Sequence, residues 1–146
     1  MNIETIQRLV TEKIPLAGFM GLQVEFAEAK HVRLCLPFSP SVHNHLDIMY
    51  AGAIFSLAEI AGGVLMLSTF DSEQYTVLIR RIEIDYVRPS RRDLFCDVFL
   101  DETIVNHAKS DLRQQGHADI AFPIEVTDPR ERTMAKIQAF YYLRQV

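Results

Sequence analysis

Cysteine is scarce in this chain: there are two, Cys35 and Cys96, each inside a strand-like alternating run. Neither belongs to a CxxC pair or a Cys/His metal-ligand pattern, and both read as buried thiols rather than a disulfide. His43 and His45 lie close together, but no other ligands at metal spacing accompany them, so no metal and no cofactor are expected. Basic charge is also short. Fifteen Lys and Arg against 19 Asp and Glu give a net charge of −4 and a pI near 5.7. That balance argues against a nucleic-acid partner. The first residues include acids and lack the basic start and apolar run of a signal peptide, so a cytoplasmic, reducing setting is expected. Repeats and low-complexity segments are absent as well. What remains is 146 residues, 49% hydrophobic and 23% charged. That suits one folded domain over 1–146 with a sizeable core, and it is too short for two.

Against these absences stands one long apolar stretch, Met49 to Leu67, whose only ionisable carboxyl is Glu59. A helix apolar on nearly every side is a buried one. The stretch is also long enough to cross a bilayer, but a central acid is penalised in lipid and no Lys or Arg cluster directly flanks it. No membrane association is therefore expected. A buried carboxylate is costly unless it is paired, hydrogen-bonded, protonated or wet. Glu59 thus either pairs with an Arg or carries chemistry.

Around this helix, Ile3, Ile6, Leu9, Val10 and Ile14 recur at helical spacing over 2–14, ended by Pro15 and Gly18. Alternation at Leu22, Val24 and Phe26, then at Val32, Leu34 and Leu36, predicts two short strands about a turn near Ala29-Lys30. The apolar helix is expected from about Tyr50 to Phe70. One long strand follows through Val77, Ile79, Ile82, Ile84 and Tyr86, with a register change at Arg80-Arg81. Leu94 to Leu100 forms the next strand, and 117–127 and 134–145 form two closing strands. The polar segment Ile104 to Gln115 gives no clear reading. One sheet with one very apolar helix on it is an α+β layout. Such a helix needs cover beyond one sheet face, from a curled sheet and from a second subunit.

Two segments carry a family resemblance. Asn44 to Glu59, reading Asn-His-Leu-Asp-Ile-Met-Tyr-Ala-Gly-Ala-Ile-Phe-Ser-Leu-Ala-Glu, resembles the loop and central helix of hotdog-fold acyl-CoA thioesterases. It is most similar to the phenylacetic-acid-pathway type and to the thioesterase-like C-terminal domain of YiiD. Ile84-Asp85-Tyr86-Val87-Arg88-Pro89-Ser90-Arg91 resembles their third-strand signature, an aromatic followed by Arg-Pro and a basic residue. The resemblance implies a hotdog fold, a curved antiparallel sheet wrapped around one long helix. It also implies a homodimer or dimer of dimers and hydrolysis of acyl-CoA without metal. Tyr50 stands where many relatives have His, Ala51 replaces the first Gly of a pair, and Asp47 occupies a loop position where Gly is usual. Glu59 replaces Asp. These departures leave room for a non-catalytic acyl-CoA or acyl-carrier-protein binding module. A hydratase of the same fold would show an Asp-x-Asn-x-x-His pattern, which is absent.

The expected site takes Glu59, Asn44 and Gly52 as catalytic. Glu59 is base or nucleophile. The first N–H groups of the helix, lacking intrahelical partners, stabilise the oxyanion, and Gly52 lets a carbonyl approach them or merely permits tight packing. Gly52 and Glu59 are seven residues apart, about 10 Å along the axis. The resemblance answers that separation with a site shared between two subunits. Asn44 orients water or the thioester, or is a turn residue. Tyr50, Ala51, Phe55 and Thr76 are substrate-binding candidates, with Tyr50 either donating its phenol or walling the acyl pocket, and Phe19 and Met20 adding to that wall. Ser56 either meets Glu59 or bonds back to its own helix. Arg88, Arg91 and Arg92 suit the phosphates of coenzyme A, or form a solvated edge. Arg80 and Arg81 are adjacent, so one is expected to face inward as a partner for Glu59.

Overall fold

The computed structural model describes residues 2–146. The chain runs α1 (Ile3–Lys13), α2 (Pro15–Met20), β1 (Gln23–Glu28), β2 (His31–Leu36), α3 (Ala51–Thr69), β3 (Tyr75–Tyr86), β4 (Leu94–Phe99), α4 (Glu102–Gln115), β5 (His117–Thr127) and β6 (Thr133–Gln145). All six strands join one antiparallel sheet in the order β1-β2-β4-β5-β6-β3.

Alternation builds the sheet's inner face. In β5, Ala118, Ile120, Phe122, Ile124 and Val126 are buried while their neighbours are not. In β6, Ile137, Ala139, Tyr141 and Leu143 do the same, after the buried pair Met134-Ala135. Strands β4 and β5 pair only at Phe95↔Thr127 and Cys96↔Val126, so the sheet is opened there. That opening accommodates Pro123, which cannot donate to a ladder and lies in β5 outside those two β4 pairs.

The sheet curls around α3. Tyr86 Oη donates to the Ala51 carbonyl at the start of α3, and the short turn after Phe70 leads into the start of β3. The helix therefore lies along the strands, yet it touches all six. A flat sheet of six strands is roughly 24 Å across, more than twice a helix diameter, so only a curved one achieves this. Leu57, Ala58, Ala61, Leu65 and Met66 are fully buried in the result. The apolar stretch passes the length test for a membrane span, but here it forms the core of the sheet's concave side. Helix α1 packs beside β1 at one lip of the curl with α2 against it, and β3 forms the other lip.

The segment that gave no clear reading is α4. Its buried face holds only Val105, Ala108 and Leu112, too few to show a period against its polar residues. Its ends are nevertheless well marked. Asp101 accepts from the Thr103 N–H, and Gly116 closes it at φ 77°, where a side chain would be strained. Cys35 and Cys96 are buried free thiols on neighbouring strands, and burial pushes the Cys35 thiol up to about 11.

Candidate functional site

Glu59 lies midway along α3 on a stripe the sheet leaves uncovered, with Phe55 one turn before it and Gly63 one turn after. Its side chain is half-buried and opens into a cleft of about 410 Å³ lined by Phe55, Glu59, Ile79, Arg80, Arg81 and Ile82. Burial alone raises its pKa: among the described residues no hydrogen bond and no counter-ion offset the loss of water. The nearest fixed polar contact is to its backbone, where the buried Tyr141 phenol donates to the Glu59 carbonyl at 3.3 Å. Burial, with Glu59 nearby, in turn pushes the Tyr141 phenol up.

The expected Arg partner is absent among the described residues. Pairing shifts between Ile79 and Arg81, Ile79 lying opposite Tyr141 and Arg81 opposite Phe140, so Arg80 is an extra residue in a β-bulge. Without it Arg81 would turn inward. With it, both guanidiniums stand on the outer face, Arg80 over Tyr142 and bonded to Asp119, Arg81 over Phe140 and bonded to Glu83. The sequence reading located the register change but not its consequence for Glu59.

The start of α3 holds the remaining candidate residues of the helix. Tyr50 N–H is used by the Val42 carbonyl, and the N–H groups of Ala53 and Ile54 both reach the Tyr50 carbonyl. No side chain caps the helix, which leaves the Ala51 and Gly52 N–H groups as its free donors. The Tyr50 ring lies over Gly52, and a Cβ there would come within 2.5 Å of its Cε1. Gly52 is thus needed first to seat that ring. Tyr86, not singled out from sequence as a site residue, ties the strand end to this turn through the Ala51 carbonyl, and burial and the nearby Tyr50 raise its pKa. The signal was its place as the aromatic of the strand signature.

Asn44 serves the loop. Its Oδ1 accepts from the Leu46 and Ile48 N–H groups at 2.9 and 3.4 Å, the turn role. Asp47, at the loop position where the family resemblance leads one to expect Gly, sits at φ 55°, in the left-handed region that Gly favours and Asp tolerates. Arg91 is occupied here too: its guanidinium donates to the carbonyls of Asp47 and Leu46 at 3.0 and 3.3 Å, pinning the loop to the β3–β4 turn. Arg88 and Arg92 are exposed and make no ion pair among the described residues. His43 Nδ1 lies 3.2 Å from an Asp47 oxygen, and no three potential metal ligands gather among the described residues. Ser56 bonds back to the Gly52 carbonyl at 2.8 Å and not to Glu59.

The remaining candidates are dispersed. Phe55 shares the Glu59 cleft. Thr76 lies near the beginning of β3, beside the end of α3, and does not line that cleft. Phe19 is 68% exposed and Met20 belongs to the core, so neither walls it. Gly52 and Glu59, on one unbroken helix, remain about 10 Å apart along its axis.

Comparison with known proteins places this geometry. A crystal structure of a protein of unknown function from Pseudomonas aeruginosa, PA5026, named a probable thioesterase, is 31% identical; the match covers 100% of this chain and 97% of that one with a TM-score of 0.93. A protein of unknown function from Chlorobaculum tepidum superposes with a TM-score of 0.82 at 15% identity, over 98% and 94% of the two chains. A thioesterase from Haemophilus influenzae, HI1161, does so at 0.78 and 11% identity, over 99% and 92%. No curated protein matches in sequence. A family profile described as "Domain of unknown function (DUF4442)" matches residues 3–143. The chain therefore belongs to the DUF4442 domain family, and its fold is the hotdog fold of the thioesterases it resembles.

Proposed function

We propose that this protein hydrolyses an acyl-CoA thioester to free acid and coenzyme A, with Glu59 as general base or nucleophile. The observation that carries the reading is an unpaired, half-buried carboxyl on an otherwise apolar helix, opening into a cleft beside Phe55. The similarity to chains named as thioesterases supports the same reaction. As base, Glu59 takes a proton from water while the water oxygen bonds to the thioester carbon. The carbonyl oxygen becomes an oxyanion held by backbone N–H groups, and the C–S bond then breaks to release the coenzyme A thiolate, which is protonated. The free N–H groups of Ala51 and Gly52 fit the oxyanion role. Their distance from Glu59 in one chain favours donors from a second copy, in a homodimer or dimer of dimers. Arg88 and Arg92 are available to the coenzyme A phosphates, while Arg91 holds the loop.

One observation favours a binding-only module: the Tyr50 ring lies over Gly52, where a carbonyl must come. The test is a panel of acyl-CoAs assayed for thiol release beside melting temperature. Release that depends on Glu59 supports hydrolysis. A melting shift with no release from any member assigns the binding role.

A further inference from the structure

The start of α3 lies within an exposed patch of mixed character. Leu46, Tyr50, Tyr86 and Val87 are each between 45% and 58% exposed. They come from two segments, the loop before α3 and the end of β3 with the turn after it, and hydrogen bonds tie the two together. Arg91 donates to the Leu46 and Asp47 carbonyls, the Met49 N–H donates to the Ser90 carbonyl, and Tyr86 Oη donates to the Ala51 carbonyl. Arg88, Arg91 and Arg92 stand around these apolar side chains, and Arg88 and Arg92 have no ion pair among the described residues. Residues 43–52 and 86–92 together hold three arginines and one acid, in a chain whose Asp and Glu outnumber its Lys and Arg by 19 to 15. An apolar centre with a polar rim is the anatomy of a protein-binding surface, and Tyr and Arg are the residues that dominate binding there.

We propose that this patch docks an acidic carrier protein, which delivers the acyl group as a thioester on its phosphopantetheine arm. This rests on the thioester reading of Glu59 and names the carrier of its substrate. Two observations select the occupant. The first is position. The Tyr50 ring belongs to the patch and also lies over Gly52, beside the free Ala51 and Gly52 N–H groups. A body docked on the patch therefore brings its arm to the N–H groups that fit the carbonyl. The second is charge, because the arginines match an acidic surface and oppose a basic one. A second copy of this chain is the rival occupant. In a two-fold interface centred on the patch, its arginines would face their own copies. Phe55, Leu78 and Ile79, the exposed apolar residues of the α3 stripe and the β3 edge, are not part of the patch and remain for that copy. The phosphates of free coenzyme A engage arginines without needing Leu46 or Val87, and this difference sets the test.

The test uses the full chain with Leu46→Glu and Val87→Glu, which put an acid into the apolar centre. A third variant, Arg88→Glu with Arg92→Glu, reverses the rim. The probes are an acidic acyl carrier protein, in its apo and acyl-loaded forms, and the acyl-CoA bearing the same acyl group, the one the panel releases fastest. The wild type should favour the carrier thioester over the coenzyme A thioester in kcat/KM by about tenfold or more, and the preference should shrink as salt rises. Leu46→Glu and Val87→Glu should each lower kcat/KM for the carrier thioester about tenfold, through KM, and leave that for acyl-CoA unchanged. The rim variant should abolish the preference. Equal or better use of acyl-CoA by the wild type overturns the proposal. An equal fall on both substrates in the apolar variants also overturns it and gives the patch to the arm itself. A changed sedimentation mass of Val87→Glu overturns it in favour of a second copy. If the wild type releases no thiol from either substrate, hydrolysis fails, and docking is judged on the apo carrier, which has no arm. Binding weakened about tenfold by Leu46→Glu and by Val87→Glu supports the patch; no binding, or binding unchanged in both, overturns it.

Discussion

Glu59 carries no counter-ion among the described residues, and this decides what its removal does. Burial holds its carboxyl above the ordinary carboxylate range, to which unfolding returns it. The folded state therefore binds this proton more tightly than the unfolded one. The stability linked to Glu59 is fully present below the unfolded pKa and is lost as pH rises through the folded pKa. Glu59→Gln cannot ionise and escapes that loss. Its melting temperature should equal or exceed that of the wild type at neutral pH, with the gap closing as pH falls into the ordinary carboxylate range. Turnover should drop about 10²-fold or more, and the wild-type kcat/KM should rise with pH through the raised pKa, because base and nucleophile are both the ionised form. Scanning calorimetry across pH and a pH–rate profile check the two halves. A variant that melts well below the wild type at neutral pH would return Glu59 to an ion pair. Residue chemistry was legible from sequence in part. The isolation of Glu59 in an apolar run identified it, and the left-handed φ of Asp47 explains why a position favouring Gly tolerates it. The bulge at Arg80, which removes the expected partner, depends on pairing with β6, and no local pattern encodes it.

Among the elements, α3 shows how one residue type serves two purposes. Gly62 faces Tyr141 and the Ile124 side chain, both in the core, so Gly62→Ala must displace packed atoms and should cost about 1–3 kcal/mol. Gly63→Ala meets open space and should gain about 0.5–1 kcal/mol from helix propensity. Denaturant unfolding of the two variants should move their midpoints in opposite directions, and equal shifts would refute the difference in surroundings. From sequence the pair Gly62-Gly63 read only as part of an apolar helix. The strands fared better, because β5 alternates strictly and β6 alternates from Ala135 to Leu143 in burial, a period the sheet imposes. Helix α4 escaped because four apolar residues in 14, set among charged and polar ones, make a weak stripe, although Asp101 and Gly116 mark its ends in the chemistry of their caps.

At the scale of the molecule, the curled sheet leaves two features without cover. The outward stripe of α3 carries Phe55 and Leu67, each more than a third exposed. β3, 12 residues long and bonded on one side only to β6, ends the sheet with Leu78 and Ile79 also exposed. A long unpaired edge beside an apolar stripe is the kind of surface a second copy covers. Sedimentation should therefore give a multiple of 16.7 kDa, and a stable monomer at micromolar concentration would remove the shared site along with the dimer. The sharing itself has a stricter test. Glu59→Gln removes the acid, and Gly52→Val puts a side chain where the carbonyl oxygen must approach the N–H groups. Each homodimer should be inactive. If acid and N–H donors come from different subunits, a mixed dimer has one site with both defects and one with neither. Unfolding the two variants together and refolding them at equal ratio makes half the dimers mixed, so about a quarter of wild-type turnover should return. If each site is built within one chain, every site keeps one defect and the mixture stays as inactive as its parents.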